Sequence, residues 1–454
     1  MTQDSSLAII LAAGKGTRMK SDLPKVLHEL AGLPLIAHVL AATRKAEASR
    51  LSAVIGPGME AVAEAIRAAD PRAEIVVQVE QLGTADAVKA AQSSFEGHAG
   101  PVLVIYGDTP LLQAETLTRL GRELEDGADL VVIGFETDNP EGYGRIILDE
   151  RGRVTSIREH KDASDAERTI LLCNSGIMAF ASGKMLTGLL ARIGNKNAKG
   201  EFYLTDAVAL ARADGLETRM VRGEAVEVLG VNSRAELAEA EAVLQARLRA
   251  EIMAAGATLV APETVFLSHD TKIGRDVVIE PNVLIGPGVV IEDGVTIRGF
   301  SHIVGAHIGE GAIVGPFARL RPGARIGRNA HIGNFVEIKQ ADIAAGAKVN
   351  HLTYIGDASI GADANVGAGT ITCNYDGFAK YRTEIGAGAF IGSNSSLVAP
   401  VKIGEGAYVG SGSVITKDVA PGALALTRAP QEERAGWVEE MRKRKAKGRG
   451  NKPT

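Results

Sequence analysis

Two clusters of residues in this chain of 454 have the types and spacing that chemistry needs. The first begins at residues 11–19 (Leu-Ala-Ala-Gly-Lys-Gly-Thr-Arg-Met), directly after an apolar run. Closely spaced glycines let main-chain N–H groups approach phosphate oxygens, and a helix start beyond them adds its positive end. The stretch fails the dinucleotide fingerprint, because Met19 stands where a third glycine is required, and no Gly-Lys-Ser/Thr completes a P-loop. A tight turn accounts for the glycines equally well. Two further features favour chemistry: Lys25 adds a cation after the turn at Pro24, and Tyr106-Gly107-Asp108 ends an apolar run with a carboxylate. A lone Asp at a strand end is more often a helix cap. With the glycine loop, Arg18 and Lys25, however, it offers what nucleotidyl transfer needs: cations for a leaving pyrophosphate and a hard oxygen ligand for Mg²⁺.

The second cluster comprises Arg319, Arg321, Lys339, Asn350, His351, Tyr354, Asn365, Asn374 and Tyr375. Acyl transfer to an amine needs a base for the ammonium proton, and His is the side chain whose unperturbed pKa suits that task near neutrality. It also needs donors aimed at the developing oxyanion. A single loop His is usually just solvated; His351 stands out by its company.

What could hold these groups in register is the period of the surrounding sequence. From 273 to 415 one unit recurs: a branched aliphatic, often followed by Gly, then four residues with a small one at the fifth place. Ile273, Ile279, Ile285, Ile291, Ile297 and Ile303 sit six apart, and after a slip of one residue the beat resumes through Ile308, Val314, Leu320, Ile326, Ile332 and Ile338. This is the signature of a parallel β-helix whose sides each supply one inward aliphatic and turn at a Gly or Asn corner. Each inward side chain contributes ~1.5 to 3 kcal/mol. Coils ~4.8 Å apart with three sides each make a prism on the order of 40 Å long. The separations 321 to 339 and 339 to 354 are near one coil, so these groups are expected to stack on one face. Between Ile371 and Ile385 polar and aromatic residues interrupt the beat and should project as a loop.

Upstream the pattern changes. Leu7 to Leu11, Ala53 to Ile55, Ile75 to Val77, Val102 to Tyr106 and Leu130 to Phe135 read as buried strands, separated by helical stretches such as Leu35 to Ala46 and Met59 to Ala69. That alternation predicts a mostly parallel, doubly wound, Rossmann-like sheet with ligands at the carboxyl ends of its strands. Ser233 to about Ala254 is rich in Ala and Glu, with Ser233 and Glu236 forming a capping box, and predicts one long helix. Its apolar stripe is short for a coiled coil. The expected organisation is α/β plus all-β: a nucleotidyltransferase domain over 1–232, a linker helix over 233–254, a β-helix over 255–440 and a disordered basic tail over 441–454.

Composition narrows the classes. Aromatic content of 4% and a net charge of −5 argue against a general nucleic-acid binder, despite the basic run from Arg442 to Lys452. Cys173 and Cys373 have no metal-ligand spacing, so disulfides are not the stabilising device and a reducing compartment is expected. The first apolar run is too short to span a membrane and no Lys or Arg precedes it, so a cytoplasmic protein with no membrane partner is expected.

The stretch 11–19, Pro24, Lys25, Gln78, Gln81 to Thr84, Tyr106 to Asp108, Gly142 to Arg145, Glu159 to Lys161, Asn174 to Gly176 and Gly230 to Asn232 together resemble the sugar-phosphate nucleotidylyltransferases. With the solenoid, the chain is similar over nearly its whole length to the bacterial bifunctional family joining N-acetylglucosamine-1-phosphate uridylyltransferase to glucosamine-1-phosphate N-acetyltransferase. That resemblance implies that Leu11, Ala12, Ala13, Gly14, Gln78, Gly83 and Thr84, with Tyr106, Gly107 and Asp108, hold UTP, while Arg18 and Lys25 face its phosphates. It implies that Gly144, Glu159, Asn174 and Asn232 bind the amino sugar and that Asp108 and Asn232 share Mg²⁺. In the solenoid it makes His351 the base and gives glucosamine 1-phosphate to Arg321, Lys339, Tyr354, Asn365 and Lys380. Acetyl-CoA then lies along Ala368, Asn374, Tyr375, Ser393, Ser411 and Arg428. Left-handed coils and a homotrimer with sites between prisms are likewise implied by the resemblance alone. Two positions depart from the family pattern: Asp86 stands where His is expected, and Ser411 where Ala is expected. The competing readings are a nucleotidylyltransferase whose β-helix is only structural or regulatory, and a non-enzymatic spacer.

Overall fold

The computed structural model describes residues 6–449. They form two compact units: one runs to Ile252 and includes Phe266–His269, the other comprises Met253–Val265 and Asp270 onward.

The first unit is built on a nine-stranded sheet. Its strands are β1 (Leu7–Leu11), β2 (Arg50–Ile55), β3 (Glu74–Val77), β4 (Val102–Tyr106), β5 (Leu130–Glu136), β6 (Gly144–Leu148), β7 (Val154–Arg158), β8 (Leu172–Phe180) and β9 (Thr218–Arg222). The main order is β9-β5-β8-β4-β1-β2-β3, and β6 and β7 form an antiparallel pair off β8. Strand β1 is buried along its whole length, as a strand covered on both faces must be. Helices α1 (Leu35–Lys45) and α2 (Glu60–Ala69) turn Ile36, Val39, Leu40, Val62 and Ile66 into one core cluster. The expected strands and helices stand where the periodicity put them. The antiparallel β8 was not visible in it, because a strand buried on both faces reads the same in either direction.

Strand β1 is the turning point of the topology. It pairs in parallel with β2 on one side and β4 on the other, with Leu11 level with both Val54 and Tyr106. Chain order reverses there, so the connections leave in opposite directions and a crevice opens at the strands' carboxyl ends. The long helix follows as expected, over Arg234–Ala254. Its cap differs by one residue from the capping box: Ser233 Oγ accepts the Glu236 N–H at 3.3 Å, but the Glu236 carboxylate reaches back to the N–H of Asn232, at 2.6 Å.

The second unit is a parallel β-helix. Its short strands stack into three ladders, exemplified by Lys348↔Asn365↔Phe390, Asp342↔Ser359↔Glu384 and Glu337↔Tyr354↔Ile371. From Ile279 through Ile338 the aliphatics of the beat are buried, whereas Ile273, near the first coil, is partly exposed. The corners differ from expectation. Beside Gly and Asn, one corner row uses Phe300, Phe317, Phe335 and Leu352 at φ of 50–58°. Bulky residues rarely adopt that region; here the three rings stack on successive coils with centroids 4.9 and 5.1 Å apart, which offsets the local strain.

The basic tail is a correction. Residues expected to be disordered from 441 belong to a helix over Trp437–Arg449; 450–454 lie outside the described residues. The physical reason is local: Glu439 and Glu440 sit in the first turn, four residues ahead of Lys443 and Arg444, which favours both the helix dipole and i,i+4 pairing. Among the described residues no helix is long and apolar enough to cross a membrane.

Because the β-helix depends on its inward column, Ile338→Ala, at a fully buried position, should lower the unfolding free energy of that unit by about 2–5 kcal/mol. The exposed Arg325→Ala should change it by less than about 0.5 kcal/mol. Guanidinium midpoints of the two variants measure the difference.

Candidate functional sites

The crevice beside β1 holds a cavity of about 310 Å³ lined by Leu11, Ala12, Ala13, Gly14, Lys25, Gln78, Gly83, Thr84, Tyr106 and Asp108. These are ten of the residues expected to hold the nucleotide. Two glycines are required by geometry. Gly16, at φ 62°, lets Lys25 pass so close that a Cβ would lie 2.5 Å from the Lys25 Cβ. Gly83, at φ 128°, packs against the Phe202 backbone, where a Cβ would lie 2.5 Å from the carbonyl oxygen. Gly107 does not line the cavity; its N–H donates to the Leu11 carbonyl, tying the end of β4 to the end of β1. Arg18 sits exposed on the short turn Thr17–Met19 and does not line the cavity.

Lys25 Nζ donates to Asp108 and, at 2.8 Å, to Asn232 Oδ1. Asn232 is carried in by the chain entering the long helix, and the Val231 N–H donates to the Asp108 carbonyl. Two oxygens thus converge on one cation at the cavity wall. Among the described residues no group of three or more His, Cys, Asp or Glu side chains could hold a metal. A carboxylate and an amide oxygen suit Mg²⁺, which takes one or two protein oxygens and draws the rest from phosphates and water.

The expected sugar residues meet nearby. Asn174 pairs with Gly144, and a Cβ on Gly144 would lie 3.5 Å from Glu159 Oε1. Asn174 Oδ1 is buried without a partner among the described residues, an acceptor awaiting a donor. Burial raises the Glu159 pKa, against a hydrogen bond from Thr205 at 3.2 Å. Burial, then Glu159 and Asp108, push the Tyr106 phenol up as well, so it stays protonated as a donor. Sequence reasoning missed Glu201, which lines the cavity, Tyr203 and Thr205. Tyr203 has a buried hydroxyl without a partner among the described residues and a pKa pushed up to about 12, first by burial. No motif surrounds these three; they enter because Phe202 and Leu204 hydrogen-bond to Leu82 and Thr84.

In the second unit, His351 is exposed at the end of a strand, and its Nδ1 lies 2.6 Å from Asn334 Oδ1. An amide oxygen only accepts, so Nδ1 carries the proton and Nε2 is left as the basic nitrogen. Asn334 was missed; it lies level with His351 on the coil before, a register the period could have supplied. Of the expected acetyl-CoA residues, Ala368, Ser393, Ser411 and Arg428 follow along the same corner. Gly369 N–H donates to the His351 carbonyl, Asn394 N–H to Ala368, Gly412 N–H to Ser393, and Arg428 Nη1 to Ser411. His351, Ala368, Ser393 and Ser411 therefore stand one above another, and at ~4.8 Å per coil the column runs about 14 Å.

The sugar-phosphate residues are partly gathered. Lys339 has the Lys380 ammonium beside it and Arg321 within electrostatic reach; chiefly through Lys380 its pKa falls below the ordinary lysine value. Arg321 is oriented by Glu337 at 2.8 Å. Tyr354 is level with Glu337 rather than with Lys339, so the spacing 339 to 354 is not one coil and puts it one row along the same face. Lys339 is level with Gly356, where a side chain would collide with the Tyr354 hydroxyl and the Asn374 amide. Asn374 Nδ2 is committed to Asp357 at 2.5 Å, another missed residue, while Tyr375, Lys380 and the almost fully exposed Phe378 ride on the projecting loop. Asn365 is not gathered: it belongs to the ladder of Lys348 and Phe390, a different face. Stacking of the whole set on one face of one chain is thus corrected.

Comparison with known proteins gives the lineage of both units. Residues 8–200 match the MobA-like NTP transferase domain, and 270–305, 305–340 and 382–417 match the bacterial transferase hexapeptide. The chain is 57% identical over 450 residues to the bifunctional protein GlmU of Xanthobacter autotrophicus, covering 99% of this chain and all of that one. It is 58% identical to GlmU of Azorhizobium caulinodans, covering 98% and 99% of the two chains, and 58% identical to that of Nitrobacter hamburgensis, covering 98% of each. The chain belongs to the GlmU family. As a GlmU-family protein it is a bifunctional transferase whose solenoid is a left-handed parallel β-helix.

The crowding of Lys339 by Lys380 makes a pH-dependent prediction. A lysine with a lowered pKa is charged below that value and neutral above it, so a bound phosphate loses its partner as pH rises through it. Affinity for glucosamine 1-phosphate, measured by calorimetry, should fall below the pH where an ordinary lysine would titrate. In Lys380→Met the fall should move to higher pH, while affinity at neutral pH drops about tenfold.

Proposed function

We propose that the β-helix site acetylates glucosamine 1-phosphate with acetyl-CoA and that the sheet-domain site then joins the product to UTP, releasing pyrophosphate and forming UDP-N-acetylglucosamine. The observation that carries the reading is the Asn334–His351 pair, which leaves Nε2 as a base at the head of the column. There Nε2 takes the ammonium proton of the sugar, and the freed amine attacks the thioester carbonyl; collapse of the tetrahedral adduct breaks the C–S bond, and the departing CoA thiolate takes the proton that the nitrogen gives up as the amide forms. Ser393 and neighbouring backbone N–H groups face the developing oxyanion. Arg321, Lys339 and Lys380 clamp the phosphate and fix the amine relative to the base.

Uridylyl transfer requires less of the protein. The sugar 1-phosphate is already a nucleophile, so alignment and charge neutralisation suffice. The glycine loop receives the phosphates, Lys25 balances the charge of the leaving pyrophosphate from the cavity wall, and Arg18 reaches it from the exposed Thr17–Met19 turn. Asn174, Glu159 and Gly144 position the sugar. Asp108 and Asn232 would hold Mg²⁺, which when bound neutralises charge shared between the phosphates. Lys25, whose ammonium bridges Asp108 and Asn232, would then be released toward the phosphate oxygens.

The assembly is a homotrimer in this reading. Asn365 and Lys339 lie on different faces of one prism, so both reach one sugar only if a neighbouring prism supplies one of them. The exposed ridge of Phe300, Phe317, Phe335 and Leu352 runs beside the His351 corner and borders a groove of about 400 Å³ that a neighbour would cover.

Incubation of the full chain with glucosamine 1-phosphate, acetyl-CoA, UTP and Mg²⁺, omitting each in turn, tests the sequence of reactions. His351→Ala should lower acetyl transfer by at least about 10³-fold and leave uridylyl transfer unchanged, and Asp108→Ala should do the reverse. Loss of both activities in either folded variant would contradict separate sites.

A further inference from the structure

Behind the wall of the nucleotide cavity, in contact with the lining residue Gln78, stands one of the two departures from the family pattern, Asp86. It lies in the first turn of helix α3 (Thr84–Ala90), where a carboxylate is favoured by the helix dipole. Its Oδ2 accepts the Gln78 amide nitrogen at 2.7 Å and the Leu82 N–H at 3.3 Å. Gln78 is 4% exposed, and its Nε2 also donates to the Gly83 carbonyl at 3.2 Å. Gly83 is itself fixed against Phe202. The amide nitrogen therefore faces two groups that can only accept. Turning the amide over would set Oε1 against a carboxylate and a carbonyl and break both hydrogen bonds in a buried place, a costly exchange. The other end of the amide, Oε1, accepts no hydrogen bond among the described residues, and Gln78 lines the cavity.

We propose that Asp86 is a positioning residue that locks the Gln78 amide with its oxygen toward the base, and so sets the preference for uridine over cytidine nucleotides. The inference rests on the reading that Gln78 meets the base. Uracil carries a proton on N3 and can donate it to a fixed acceptor, whereas cytosine has a lone pair at N3 and meets that oxygen with repulsion. Cytosine could offer its amino group instead only by sliding one atom along its edge, which displaces the ribose and phosphates attached at N1. An amide free to rotate would turn its NH₂ to cytosine N3 and accept either base. The carboxylate that forbids rotation is thus what discriminates.

The test compares kcat/KM for UTP and CTP in the full-length protein with N-acetylglucosamine 1-phosphate and Mg²⁺, in the wild type, Asp86→Ala, Asp86→Leu, Asp86→Asn and Gln78→Ala. Circular dichroism melts of the same samples report that each variant is folded. Asp86→Ala and Asp86→Leu should lower the UTP/CTP ratio by about tenfold or more. Asp86→Asn, which retains an acceptor oxygen, should keep it within about threefold of the wild type. A wild-type ratio near one, or equal losses with both nucleotides in Asp86→Ala and Asp86→Leu, would overturn the proposal. Gln78→Ala separates the two layers. An unchanged KM for UTP in that variant removes Gln78 from the base; a raised KM alongside an unaltered ratio in the Asp86 variants removes only the lock.

Discussion

The acetyl-transfer site depends on one constraint: coils of 17 or 18 residues stack in parallel with their inward aliphatics in register. Asn334 and His351 are 17 apart in sequence and 2.6 Å apart in space only because Ile332 sits level with Val349 beneath them. The same stacking places Ala368, Ser393 and Ser411 under His351 although the projecting loop intervenes. That loop adds its residues outside the ladders, so register resumes at Thr383 opposite Ala358 and continues with Phe390 and Ile391 opposite Asn365 and Val366. A close-packed column does not deform to suit a ligand, so the base and the expected line of the thioester are set before either substrate arrives.

The sheet domain solves a different problem. Its chemistry needs no proton taken from a carbon or an amine, only anions brought together against their repulsion. The topology supplies the place, the carboxyl ends of β1 and β4, and the charges come from segments far apart in sequence. Lys25, Asp108 and Asn232 meet there because three main-chain features carry them: the turn freed by Gly16, the end of β4 and the entry to the long helix. Glu236 takes part at one remove, since its carboxylate holds the Asn232 backbone. Helix start and cation site are therefore one structure, and a change in the cap is felt at the cavity.

Much of this was legible beforehand, for a physical reason that differs between units. The hexapeptide beat is a direct record of which residues point inward, and the buried aliphatics from Ile279 to Ile338 follow it. The glycine loop and the acidic strand end were legible as motifs because phosphate chemistry demands small residues and hard oxygens at short range. Less legible was whatever depended on contacts between distant segments. Glu201, Tyr203 and Thr205 join the first site because the neighbouring Phe202 and Leu204 N–H groups donate to the Leu82 carbonyl and the Thr84 hydroxyl, which leaves no pattern in their own neighbourhood. Asp357, at a corner with φ of 48°, could be foreseen only with the exact register in hand. Tyr354 was misplaced by one row because 15 residues were counted as a coil. The tail helix was missed because a run of like charge was weighed as a block, without the acidic residues just ahead of it.

The central claim is that register in the solenoid delivers His351 Nε2 to the amine of a sugar whose phosphate is held by Arg321, Lys339 and Lys380. A crystal structure of the protein with glucosamine 1-phosphate and CoA bound tests it most directly. The account predicts the phosphate among those three cations, the sugar amine within hydrogen-bond reach of Nε2, and the CoA sulfur beside Ser393. A sugar bound with its amine turned away from His351, or a CoA lying along another corner of the prism, would contradict it.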